Sequence, residues 1–151
     1  GVGSIKRLWD FCPPDHGILT AVGVAHYERF KSVDQVAKAK FELFEAVAAR
    51  GGNFVINTDQ VDGDYIKRYA PSYEQGLILT SSNPDYDGAW FKVLSSETTA
   101  EGAFIRLQIG TDVYDITAPL YGQHQTMNIV AAIVLFPRKT KNGRPFNRDA
   151  R

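Results

Sequence analysis

His26 and Lys40, fourteen positions apart, carry the first hint of chemistry in this chain. The histidine follows the mostly apolar run "GILTAVGV" (17–24) by two residues, and the lysine lies among the apolar residues of "VDQVAKAKFELFEAVAAR" (33–50). An ammonium group on a buried face is costly unless it is paired or chemically modified. If the apolar run is a strand of a parallel sheet, His26 stands beyond its carboxyl end, where open α/β sheets bind ligands. Each residue also has an ordinary reading. A loop histidine is solvated, and a lysine on an apolar stripe extends its ammonium to the rim. A second group is "GQHQTMN" (122–128), which sets His124, Gln125 and Asn128 at the start of an otherwise apolar helix. Their side chains can read a base or a carboxylate, or can cap the helix. A third, "NTD" (57–59), closes another apolar run, where turn formation is as natural a role as ligand binding.

A sheet edge and helices must hold these residues. Ser4 to Phe11 form a short helix with Ile5, Leu8 and Trp9 on one side, and "CPP" stops it because proline lacks the N–H that a helix needs. The strongest helix runs from Val33 to Arg50, with Ser32 as its N-cap and Asp34 in its first turn. Val33, Val36, Ala37, Lys40, Phe44, Val47 and Ala48 form one stripe, and "RGG" ends the helix. "GILTAVGV", "NFVINTD" (53–59) and "GLILTSS" (76–82) are strands of the kind covered on both faces, with a short helix in "GDYIKRYA". Strand, helix, strand, helix, strand defines a parallel α/β sheet with crossover helices. After Pro84 the segments "AWFKVLSSET", "AFIRLQIG" and "DVYDITAPL" alternate apolar and polar, a small antiparallel meander over about 89–119. A last helix spans about Gln125 to Phe136.

The 151 residues are 44% hydrophobic and 23% charged, which suits one globular domain with a real core. Cys12 is the single cysteine, so an internal disulfide and every multi-cysteine zinc pattern are excluded. Wedged before two prolines, it has little support as a nucleophile. No apolar run nears the roughly 20 residues that span a bilayer, and no signal peptide opens the chain. A reduced, cytoplasmic setting without a membrane partner is therefore expected. The formal net charge is zero, yet the final fifteen residues hold six Lys or Arg against one Asp. Such a tail could be a nucleic-acid arm. Its lack of hydrophobic periodicity reads instead as a disordered or non-native end, and no nucleic-acid partner is expected. The chain contains no G-x-x-x-x-G-K-[ST] phosphate loop, no G-x-G-x-x-G and no G-x-S-x-G elbow.

The segment "ILTAVGVAHYERFKSVDQVAKAKFELFEAV" resembles one in which T-N-[IV]-x-x-x-H-[LM]-[ED] leads into a helix bearing an essential lysine. "NFVINTD" is similar to the [VL]-[LI]-N-x-D strand that follows it, and "LYGQHQTMNIVAA" to a G-x-H-N-x-x-N-[AI]-x-A-A element. Their order and spacing over about residues 1–136 resemble the Mur ligase family, the ATP-dependent amide-forming enzymes of peptidoglycan precursor assembly. The resemblance implies part of the family's three-layer central domain, with ATP and Mg2+ as cofactors. It implies that His26 helps hold the metal and that Lys40 is the catalytic lysine. That lysine is typically carbamylated, which makes it an anionic oxygen ligand suited to a hard cation. It further implies that Asn128 hydrogen-bonds adenine, with His124 and Gln125 in the same nucleotide site. Gln125 stands where the family has asparagine, and "TAV" (20–22) replaces T-N-[IV]. "VAKAKFELFEAV" looks most like the enzymes that add D-alanyl-D-alanine to the UDP-muramoyl tripeptide, forming an acyl phosphate and then an amide bond.

In that family the phosphate loop and a metal-binding glutamate precede the position of Gly1, and a further domain follows the last helix. Residues 1–136 are thus expected to be the latter part of a central ATP-binding domain, with 137–151 a basic tail. Such a piece would be inactive alone and could dimerise through an exposed sheet edge. A rival reading is a stand-alone module that binds a nucleotide or a partner without chemistry.

Overall fold

Apolar runs bounded by turn-forming residues become the strands of a single sheet. The computed structural model describes residues 3–23, 32–71 and 76–135, so His26, Phe136 and the 137–151 tail lie outside the described residues. Helix α1 (Ser4–Phe11) leads to strand β1 (His16–Leu19), helix α2 (Val33–Ala49), β2 (Asn53–Asn57), helix α3 (Gly63–Tyr69) and β3 (Leu77–Ser81). Then come β4 (Phe91–Thr99), β5 (Gly102–Ile109), β6 (Asp112–Ala118), a 3-10 turn (Gln123–Gln125) and helix α4 (Thr126–Leu135).

The six strands lie side by side in chain order. Strands β1 to β4 are parallel, and β4, β5 and β6 are antiparallel. The meander expected from the alternation is therefore an extension of the parallel sheet. Parallel neighbours usually need a helical crossover, because the chain must travel back the length of a strand. Strands β3 and β4 avoid that need, since they pair only at Thr80–Phe91 and Ser81–Lys92. From Val93 to Thr99, β4 runs on past the end of β3, roughly 20 Å at about 3.3 Å per residue.

Alternation along the strands feeds two cores. Leu19, Phe54 and Ile56 pack against Phe41, Phe44 and Val47 of α2 and Ile66 of α3. Val55, Ile78, Val93, Ile105 and Leu107 point the other way, onto Ile129, Val130 and Val134 of α4. The result is three layers, with each fully buried large side chain contributing roughly 1.5–3 kcal/mol. Phe44 meets Phe41 and Phe54 edge-on at centroid distances of 6.4 and 5.4 Å.

Helix α2 starts as its sequence dictates, with the Ser32 hydroxyl accepting the Gln35 N–H at 3.2 Å. Its buried arc is wider than one stripe. Ala39, Phe41 and Ala46 are buried as well, because α1 and α3 pack on the flanks of the helix. After α2 the chain turns so tightly that a Cβ on Gly52 would lie 1.8 Å from the Asp15 carbonyl oxygen, so only glycine fits. Strand β1 is shorter than the expected run to Val24. Its ladder ends with Leu19 opposite Ile56, and the Val22 N–H turns to the Gln60 carbonyl at 2.9 Å instead. Among the described residues no helix is long and apolar enough to cross a membrane.

Candidate functional site

Helix α2 runs away from the carboxyl ends of the strands, and helical side chains tilt toward the N-terminus. Lys40 accordingly reaches back toward that edge. Half-buried, it donates from Nζ to the Ala21 carbonyl at 2.7 Å. It is paired rather than extended freely into solvent. An amine and its carbamate both retain an N–H, so this bond is open to either form of the side chain.

Residues 20–23 are held between α2, through Lys40, and the loop after β2, through Val22 and Gln60. That loop is fastened in turn to β3. The Asp59 carboxylate accepts the Ser81 hydroxyl at 2.9 Å and the Ser82 N–H at 3.0 Å, and the Thr58 hydroxyl donates to the Thr80 carbonyl at 2.9 Å. Asn57, only 9% exposed, accepts the Asp59 N–H at 3.1 Å. The "NTD" side chains thus build the turn, one of the two roles open to them from sequence. Three consecutive loops at the carboxyl edge are stitched into one ledge.

His124, Gln125 and Asn128 form the second group, on the opposite face of the sheet at the entry to α4. The Asn128 Nδ2 donates to Gln125 Oε1 at 3.2 Å, and Gln125 Nε2 lies 3.1 Å from His124 Nε2. The two amides and the imidazole thus form one short run of polar contacts. Gly122 adopts φ +102°, and a Cβ there would come within 2.7 Å of the His124 ring, so the bare backbone makes room for the imidazole. No side chain caps the 3-10 turn, and these polar groups bond to one another instead. Strand β6 runs parallel to β1, so both groups belong to the carboxyl side of the sheet. Among the described residues no hydrogen bond joins Lys40 to the His124–Gln125–Asn128 group.

Among the described residues no cluster of three or more His, Cys, Asp or Glu could hold a metal ion. An unmodified Lys40 is a nitrogen donor committed to a carbonyl, so the described residues do not by themselves fit a magnesium ion, which demands oxygen ligands. Two supports of the site had no local sequence signal. The Tyr69 hydroxyl donates to Asp34 at 3.0 Å and Arg68 Nη1 reaches the same carboxylate at 2.7 Å, bracing the start of α2 against α3. Burial, then the bond to Asp34, holds the Tyr69 phenol above its ordinary value. The Glu42 carboxylate of α2 accepts the N–H groups of Gly3 and, at 3.3 Å, Lys6, closing the first turn of α1. Both contacts join residues more than thirty positions apart.

A three-layer α/β domain with its polar groups gathered at the carboxyl side of the strands has the architecture of the ligand-binding α/β proteins. Residues 1–136 match the Mur ligase middle domain, and the chain belongs to that family. It is 28% identical over 141 residues to the UDP-N-acetylmuramoyl-tripeptide–D-alanyl-D-alanine ligase of Escherichia coli (strain K12), covering 88% of this chain and 28% of that protein. The ligase of the same name from Mycobacterium leprae (strain TN) is 25% identical over 136 residues, covering 86% and 26%. In fold the chain is similar to the MurF ligase of Thermotoga maritima in complex with ADP, with a TM-score of 0.72, 20% identity, and coverage of 89% of this chain and 30% of that one. The chain thus spans less than a third of the length of these relatives.

Proposed function

We propose that this chain supplies the adenine side and the lysine-bearing metal edge of an ATP-dependent ligase of peptidoglycan precursor synthesis. The substrate carboxylate would attack the γ-phosphate of ATP, releasing ADP and giving an acyl phosphate. The amine of the second substrate would then displace phosphate and leave an amide. The names of the relatives suggest UDP-muramoyl tripeptide and D-alanyl-D-alanine as the two substrates, which fits a cytoplasmic setting. The observation that carries this proposal is the placement of Lys40 and Asn128. They stand on helices from opposite faces of the sheet, at the same carboxyl side. Asn128, with Gln125 and His124 behind it, is assigned to the adenine. His26 and Lys40 are assigned to the metal, Lys40 after carbamylation, with the remaining oxygen ligands coming from elsewhere. The 151 residues hold no G-x-x-x-x-G-K-[ST] loop, so the chain by itself is expected to bind without turnover.

Calorimetric titration with ATP in the presence of Mg2+ tests the proposal. Heat of binding is expected from the intact chain, with affinity reduced about tenfold or more in Asn128→Ala, the weight of one good base contact. Lys40→Ala should weaken the Mg2+ complex more than it weakens metal-free ATP. No binding by the intact chain, or equal binding by all three proteins, would overturn the assignment.

The sheet also ends in an edge at β1, which carries no Asp, Glu, Lys or Arg, whereas β6 carries Asp112 and Asp115. A second copy pairing along β1 belongs to the same proposal.

A further inference from the structure

A single peptide plane links the loop after β2 to Lys40. The Ala21 carbonyl and the Val22 N–H belong to one amide, which is planar and trans, so the two groups point in opposite directions. The N–H reaches the Gln60 carbonyl at 2.9 Å, and the carbonyl takes the Lys40 ammonium at 2.7 Å. The ladder of β1 stops at Leu19, so among the described residues no strand partner orients this amide. Its tilt is set by Gln60 on one side, and Lys40 follows it on the other. Gln60 is held in turn from β3. Its neighbour Asp59 accepts the Ser82 N–H at 3.0 Å and the hydroxyl of Ser81, a residue only 1% exposed, at 2.9 Å. The same hydroxyl accepts the Asn83 N–H at 3.0 Å, which leaves its own proton for Asp59.

We propose that Asp59 is a positioning residue for Lys40. By tying the turn after β2 to β3, it sets the tilt of the Ala21–Val22 amide and so the place of the lysine nitrogen. The inference rests on the reading of Lys40 as part of the metal edge. Magnesium tolerates little departure from its preferred geometry, so a side chain that serves it must be held in place before the ion arrives. Without the Asp59 carboxylate the Ser81 hydroxyl loses its acceptor and the Gln60 carbonyl is free to turn. The amide and the lysine then turn with it. Asp59→Asn keeps an oxygen that can accept from Ser81 and Ser82, whereas Asp59→Ala keeps none.

Two measurements on the intact chain test this. The first is calorimetry with ATP, with and without Mg2+, on the wild type, Asp59→Ala, Asp59→Asn, Lys40→Ala and the Asp59→Ala, Lys40→Ala double variant. Asp59→Ala should weaken MgATP about tenfold, as the loss of an outer support of a metal site does, and leave metal-free ATP unchanged. Asp59→Asn should recover most of that loss. In the Lys40→Ala background Asp59→Ala should cost nothing further, since both act through one group. The second is reductive methylation of the lysines with carbon-13 formaldehyde, read by NMR without nucleotide. The Lys40 signal of the wild type should stand apart from those of the exposed Lys6 and Lys38. It should join them in Asp59→Ala and stay apart in Asp59→Asn. A Lys40 signal unmoved in Asp59→Ala, a loss that adds to that of Lys40→Ala, or equal weakening of metal-free ATP overturns the inference and leaves the ligase proposal standing. If Lys40→Ala itself leaves MgATP binding unchanged, the assignment of Lys40 falls and the inference falls with it.

Discussion

Glu42 shows how a single side chain can serve a helix to which it does not belong. On α2 it falls outside the apolar stripe, where a solvated role would be ordinary. Its carboxylate instead takes two N–H groups from the first turn of α1, which has Gly3 and no side-chain cap of its own. The positive end of the α1 dipole adds to the attraction. Glu42→Ala should therefore cost about 1 kcal/mol, the usual loss on removing an N-terminal cap, seen as a lower urea midpoint with an unchanged slope. An unaltered midpoint would mean that the contact carries no weight in solution. Lys40 is a contrasting case. A lysine among apolar neighbours needs a partner, and that much was legible in the sequence. The identity of the partner was not, because Ala21 offers only a backbone carbonyl, which every residue has.

Among the elements, those with their own period were readable and those defined by partners were less so. Helix α2 announced itself by its stripe, its Ser32 cap and its terminal glycines, and the alternating β5 needed no tertiary information. Where β1 stops was not written in "GILTAVGV", because Gln60 takes the N–H of Val22 and no local apolar pattern encodes that exchange. Continuity between the meander and the parallel sheet was equally invisible, since it depends on a two-residue overlap of β3 with β4. The brace between α3 and α2 belongs to the same class of long-range contact, and it has a measurable pH signature. The Tyr69 phenol is raised above 10.0 by burial, then by the Asp34 bond. A raised folded-state value gives a contribution that is whole below the unfolded value and is lost as pH rises through the folded one. Stability should thus fall as the pH passes about 10. Tyr69→Phe should lose less between pH 9 and pH 11, as read by urea unfolding at both values. Equal losses in the two proteins would show that the phenol does not contribute.

For the molecule as a whole, the two sheet edges are unequal. Strand β6 carries Asp112 and Asp115, the latter 3.8 Å from Arg106, and edge charges of this kind oppose the docking of another strand. The β1 edge lacks them. Light scattering over a range of concentrations should show the mass rising toward twice that of the monomer, and a constant 16.8 kDa would rule out pairing along β1. The order of the strands has a different consequence. Each strand lies beside the one made just before it, so no strand has to wait for a later segment to be inserted between itself and its neighbour. The closures differ in length: tight turns join β4, β5 and β6, whereas helical crossovers separate β1 from β2 and β2 from β3, so the entropy of closure falls mainly on the parallel half. As the polypeptide leaves the ribosome from its N-terminus, the sheet can lengthen one strand at a time. Among the described helices only α4 covers the second face, so during synthesis that face stays wet until α4 has been made.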